Sequence, residues 1–144
     1  MAHGLKSSPA RRVVRGSAMV ETVFTISLML FIVFAGLEIS WAVYKKAEVT
    51  NAARMVARAA SLADATAETV QATAQRHMTV AGFADSDWQL DLEPSDPASV
   101  AGGDPIFAEL RVDYGAVSLG RFGDWIPVPE EISSVAVMVK EGAN

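Results

Sequence analysis

Thr22 to Leu37 is sixteen consecutive residues without a charged side chain, and the run continues to Tyr44 with only Glu38 added. A helix rises about 1.5 Å per residue, and a bilayer's hydrocarbon core takes roughly 20 residues. The stretch 17–44 is long enough to span a membrane with tilt, and a transmembrane helix is expected there. Trp41 and Tyr44 stand where an interfacial aromatic belt would lie, followed by Lys45 and Lys46. A carboxylate, Glu21, stands at the head of the run. An acid at the bilayer centre costs on the order of 2.5–3.5 kcal/mol on insertion scales, and less near the interface. Its presence there asks for a compensating partner.

Charge divides the chain at Gly16. Residues 1–16 hold Lys6, Arg11, Arg12 and Arg15 and no acid, whereas the rest carries eight basic and all 17 acidic residues. A basic leader (1–16), the span (17–44) and a region from Lys45 to Asn144 follow from this. The last combines a helical extension with a small α+β domain. Four basic residues before the span against two directly after it favour a cytoplasmic N-terminus and an exported C-terminal region. The net charge of −5 gives nucleic-acid binding no electrostatic support. The absence of cysteine excludes disulfides, thiolate metal sites and a cysteine nucleophile.

Three readings compete for the apolar run. A secretory signal peptide fits poorly, because the run is too long and no small-x-small cleavage site ends it. A plain single-pass anchor leaves Glu21 unexplained. Cleavage after Gly16 would make Ser17 the first residue and Glu21 the fifth, with the basic residues before the cut and the helix after it. Glycine before the bond lets an extended backbone approach a protease closely. The arrangement resembles the class III signal of type IV prepilins, whose peptidase cuts on the cytoplasmic side and leaves the helix in place. Cleavage would create an α-amino group at Ser17, cationic below a reference pKa near 8. The carboxylate of Glu21 can then pair with the amine of a neighbouring subunit and set the stagger between the two. Snorkelling of Glu21 to the headgroups is the plainer alternative.

The helical pattern runs past the membrane. No proline interrupts residues 10–93, and "KKAEVTNAARMVARAASLA" is rich in alanine. Val49, Ala52, Ala53, Val56, Ala59 and Ala60 form a narrow apolar stripe, either a roof for the domain's own core or a surface for another helix. Ser17 to Leu62 as one helix would reach about 69 Å. "RGSAMVETVF", the apolar span, Glu38 and then "NAARMVARAA" together resemble the TadE-like family, the minor pseudopilins of tight-adherence (Flp, type IVc) pilus systems. The resemblance covers residues 15–60. It implies processing between Gly16 and Ser17, an assembly role for Glu21, and helix packing through Gly36, Glu38, Asn51, Ala52, Ala53 and Arg54. It implies as partners the prepilin peptidase, other pilin or pseudopilin subunits and an inner-membrane assembly platform. It also implies a bacterial inner-membrane location with a periplasmic domain. TadE and TadF types are not separated by these residues, though "NAAR" and the compact domain lean towards TadE.

Beyond residue 63 the pattern predicts a second helix over about Thr66–Val80, with Val70, Ala74, His77 and Met78 on one face and Gly82 ending it. "WQLDLE", "IFAELRVDY" and "ISSVAVMVK" read as three antiparallel strands by period-two alternation. Val135, Val137 and Val139 share one face of the last. "PSDPASVAGGDP" and residues 115–130 read as loops, the second carrying Phe122, Trp125 and Ile126. Glu109, Arg111 and Asp113 share a strand face and read as solvated charges, not a catalytic pair. His77 has no second ligand near it. No phosphate loop, nucleophile motif or metal-ligand cluster appears, so neither an enzyme nor a cofactor is expected. The expected fold is α+β and pseudopilin-like: a long N-terminal transmembrane helix, a short second helix and a small antiparallel sheet. The alternative function is an unprocessed single-pass anchor carrying a periplasmic binding or accessory domain.

Overall fold

The computed structural model describes residues 11–119 and 129–142, with side chains from Ser17 onward except at Ala116. The leader before Arg11 and the loop residues Phe122, Trp125 and Ile126 lie outside the described residues. The elements are helix α1 (Arg11–Ser61), helix α2 (Ala67–Val80), strand β1 (Trp88–Glu93), a single 3-10 turn (Pro97–Ser99), strand β2 (Pro105–Asp113), a one-turn helix α3 (Tyr114–Val117) and strand β3 (Glu131–Val139). This is the expected α+β arrangement. The chain divides into two units between Leu37 and Glu38.

From Arg11 onward the first unit is helical. From Ser17 to Leu37 every described side chain is exposed except Ala35, which is half-buried. Those 21 positions correspond to about 31 Å of helix, close to the roughly 30 Å of a hydrocarbon core. Mean hydropathy reaches 2.2 in this helix, with none of that window buried. Among the described residues it is the one helix long and apolar enough to cross a membrane. Two of its hydroxyls bond back to the helix: Thr22 Oγ1 donates to the Ala18 carbonyl at 2.8 Å and Ser27 Oγ to that of Val23 at 2.9 Å. Such back-bonding removes unpaired polar groups from an apolar surround.

The second unit begins at Glu38. Val49, Ala52, Ala53, Val56, Ala57 and Ala60 of α1 are buried in one core with Val70, Ala74 and Met78 of α2 and the inner face of the sheet. The alanine stripe therefore roofs this chain's own core. Ala57 joins it, while Ala59 is only half-buried. The helix α2 starts at an N-cap, Thr66, that exchanges capping-box bonds with Thr69. It ends in a Schellman motif: the Gly82 N–H reaches the Thr79 carbonyl and the Phe83 N–H that of Met78, both at 3.0 Å. Gly82 takes φ +80, which a side chain would resist.

The sheet order is β1-β2-β3, antiparallel throughout, with Leu90 opposite Leu110 and Val112 opposite Ile132. Ile106, Ala108, Leu110 and Val112 face the core. One expectation is corrected. Tyr114 does not end β2 but opens α3, because Asp113 caps that turn by accepting the Gly115 N–H at 2.8 Å. Val135, Val137 and Val139 share a face as expected; it is the outer one, and Ile132 and Ala136 point to the core. The chain reaches β3 after α3, and parity at β3 is set by the pairing with β2, not by which face is more apolar.

Candidate functional site

The residues singled out in the sequence fall into three groups along α1. Gly16 and Ser17 lie within its first turns, and Glu21 is exposed one turn further on. Among the described residues no side chain forms an ion pair with Glu21. A methyl group added at Gly36 would meet nothing within 4 Å. Glu21 and Gly36 are both exposed on the apolar helix of the first unit.

Glu38 is different. It is 1% exposed, and its Oε1 accepts hydrogen bonds from the Tyr114 hydroxyl at 2.8 Å and from Ser118 Oγ at 2.6 Å. The Tyr114 hydroxyl also lies 3.4 Å from the Glu38 carbonyl oxygen. Burial pushes the Tyr114 phenol above its ordinary range, and the hydrogen bond to Glu38 and that carboxylate's charge act in the same direction. The phenol therefore stays protonated and keeps donating. One turn on, Trp41 Nε1 donates to the Val117 carbonyl at 2.7 Å. Glu38 and Trp41 thus grip both ends of α3, the turn that Asp113 caps.

Lys45 is also buried. Its Nζ donates to the Ala81 carbonyl at 2.8 Å and stands 4.5 Å from the Phe83 ring centroid and 5.1 Å from that of Trp41. Ala81 is the C-cap of α2, so the cation meets the negative end of a helix dipole as well as two aromatic faces. Lys140 repeats the device at the other end of the domain. Its Nζ donates to the Leu62 carbonyl at 2.6 Å and to that of Ala60 at 3.4 Å, at the C-terminus of α1. Burying a charge is costly unless it is hydrogen-bonded and compensated, and both lysines are.

In the "NAAR" element Ala52 and Ala53 are buried and Asn51 and Arg54 exposed. Of the residues expected to pack against other helices, Glu38, Ala52 and Ala53 are buried in this chain, and Gly36, Asn51 and Arg54 are exposed. Sequence reasoning missed Tyr114, Ser118, Lys45 and Lys140. A cationic or anionic residue on an otherwise apolar helical face was the available signal for Glu38 and Lys45. Nothing local marks Ser118 or Lys140, whose partners lie 80 and 78 residues away.

Elsewhere the chemistry is sparse. Arg111 pairs with Glu109 at 2.9 Å on the outer face, which lowers the Glu109 carboxyl chiefly through that hydrogen bond. His77 is half-buried on α2. Among the described residues no cluster of histidine, aspartate and glutamate could hold a metal ion.

Residues 16–58 match the family model described as TadE-like protein. No curated protein and no solved structure matches the chain. The matched region opens on Gly16, takes in Glu21, the apolar span and the Glu38 junction, and ends within the "NAARMVAR" run.

Proposed function

We propose that this chain is a minor pseudopilin-like subunit acting in the assembly of tight-adherence pili. A prepilin peptidase removes residues 1–16, and Ser17–Leu37 holds the mature subunit in the bacterial inner membrane. The N-terminus is cytoplasmic and the domain from Glu38 onward periplasmic. The observation that carries this reading is the family match that begins at Gly16, the residue before the expected cut, and runs through the whole apolar helix. The exposed apolar run through Leu37 supports it, being about one bilayer long.

The subunit works by binding, not by catalysis. The Ser17 amine created by cleavage and the Glu21 carboxylate are a complementary pair that one chain does not satisfy well, since they lie on one helix. Side by side in a bundle, the amine of one subunit meets the carboxylate of the next. Pairing offsets the cost of holding an acid near lipid and fixes axial register. Exposed Gly36 lets a second helix approach closely. The partners are other pilin or pseudopilin subunits, the peptidase and the inner-membrane assembly platform.

The test is the intact mass of the protein from the membrane fraction of cells with and without the peptidase. Loss of residues 1–16 only when the peptidase is present is expected. A chain still starting at Met1 in peptidase-positive cells overturns the reading and leaves an unprocessed anchor.

A further inference from the structure

The outer face and free edge of β3 are unlike the rest of the domain surface. Val135, Val137 and Val139 are 56%, 50% and 59% exposed, and Phe107, paired with Val137 on β2, is 40% exposed. Four large apolar side chains thus sit together in water on one corner of a three-stranded sheet.

The backbone beneath them is open too. The Tyr114 N–H bonds the Glu130 carbonyl, and Lys140 exchanges bonds with Asp104 and Gly103, so the even-numbered residues of this stretch face β2. The odd-numbered ones point away from it. Lys46 Nζ takes the Ser133 carbonyl at 3.2 Å, and the Glu141 N–H takes the Ser61 carbonyl at 2.7 Å. Between those two closures, among the described residues, the N–H and C=O groups of Val135, Val137 and Val139 have no protein partner. A row of unpaired donors and acceptors at two-residue spacing matches one kind of ligand, an extended peptide backbone.

Charge chooses among extended chains. The strand is flanked by exposed Glu131 and Glu141, and Asp91 and Glu93 lie on the same outer side of β1. A second copy is a poor fit. A two-fold axis through Val137 sets Glu131 diagonal to the other copy's Glu141, and an axis through Val135 sets Glu131 against Val139. Side-by-side pairing with the β1 edge of another copy lays Gln89, Asp91 and Glu93 beside the valines. We propose that the β3 edge receives, as a fourth strand, an extended segment of a different polypeptide, apolar at alternate positions and bearing basic residues at its ends. The valines and Phe107 supply the apolar contact, the open backbone groups supply direction and register, and the flanking glutamates select positive charge.

The test uses the purified full chain in detergent micelles, so it does not depend on pilus assembly or processing. A synthetic peptide of alternating valine and threonine with a lysine at each end is added, and amide hydrogen exchange is followed residue by residue. Exchange is expected to slow at Val135, Val137 and Val139 and to stay unchanged at Leu90 and Leu92 of the opposite edge. A peptide N-methylated at alternate residues, which lacks the donors, is expected to have no effect. Val137→Lys, at an exposed position, is expected to weaken binding by about tenfold or more while the circular dichroism spectrum is kept. Unchanged exchange at the valines, equal slowing on β1, valine amides already slow without peptide, or a complex of two chains by mass would each overturn the proposal.

Discussion

The Tyr114 hydroxyl donates to Glu38 Oε1 at 2.8 Å across 76 residues of sequence, joining the last buried acid of the long helix to the turn that follows β2. A hydrogen bond to a charged group contributes about 1.5–3 kcal/mol. Tyr114→Phe keeps the ring and removes the donor, so a loss of about that size is expected in denaturant unfolding of the full chain. Glu38→Ala is expected to cost more, because it removes the carboxylate acceptor of both the Tyr114 and the Ser118 hydroxyls. Glu38→Gln, which keeps an acceptor oxygen, is expected to fall between the native chain and Glu38→Ala. Equal stability of all four proteins would show that this contact carries no weight.

The same contact gives stability a pH dependence. The folded-state pKa of Tyr114 lies above its unfolded value, burial being the first cause. The contribution is therefore fully present below the unfolded value, about pH 10, and is lost as pH rises from there towards the folded value. Midpoints of thermal unfolding are expected to fall above about pH 10 in the native chain and to fall less steeply in Tyr114→Phe. Parallel curves would assign the alkaline loss to other groups.

Lys140 closes the far end of α1, where its ammonium meets the Leu62 and Ala60 carbonyls. Lys140→Met preserves much of the stem and removes the charge. A loss of about 1–2 kcal/mol is expected, from the charge-assisted bonds and the dipole interaction together. Faster amide exchange confined to residues 58–62 is the local readout, and uniform change across the domain would contradict the assignment.

Glu21→Val removes a charge from the membrane helix, so insertion and cleavage are expected to proceed at least as well as in the native chain. Pilus assembly is expected to fail, because a neighbouring amine loses its carboxylate. Glu21→Asp, one methylene shorter, is expected to restore assembly in part. Pili at native level with Glu21→Val, scored beside membrane abundance and cleavage, would leave Glu21 as a snorkelling residue.

Legibility followed the range of the interactions. Periodicity marked α2, β1 and the inner face of β2 because each is written in neighbouring residues: Thr66 and Gly82 bracket α2, and Ile106, Ala108 and Leu110 alternate. The turn at Tyr114 was missed because its aromatic side chain continues the strand alternation, while the residue that ends the strand is Asp113, acting as a cap. For the valines of β3 alternation gave their common face, but not which face is buried, since that depends on a register set by β2. At the candidate site Gly16, Glu21 and Glu38 were visible as departures from a pattern, a glycine behind a basic leader and two acids in an apolar run. Tyr114, Ser118 and Lys140 were not, since each acquires its meaning from a partner some 76–80 residues away.

The helix α1 enters the domain beside β3 and keeps the same direction: Lys46 meets Ser133, Thr50 meets Ser134, and the carbonyls of Ala60 and Leu62 meet Lys140. Tension applied along the helix axis accordingly loads these attachments sideways and at the same moment, with the Glu38 and Lys45 contacts sharing the strain. A joint of that kind fails only when several bonds give way together, whereas a joint pulled open from one end peels bond by bond.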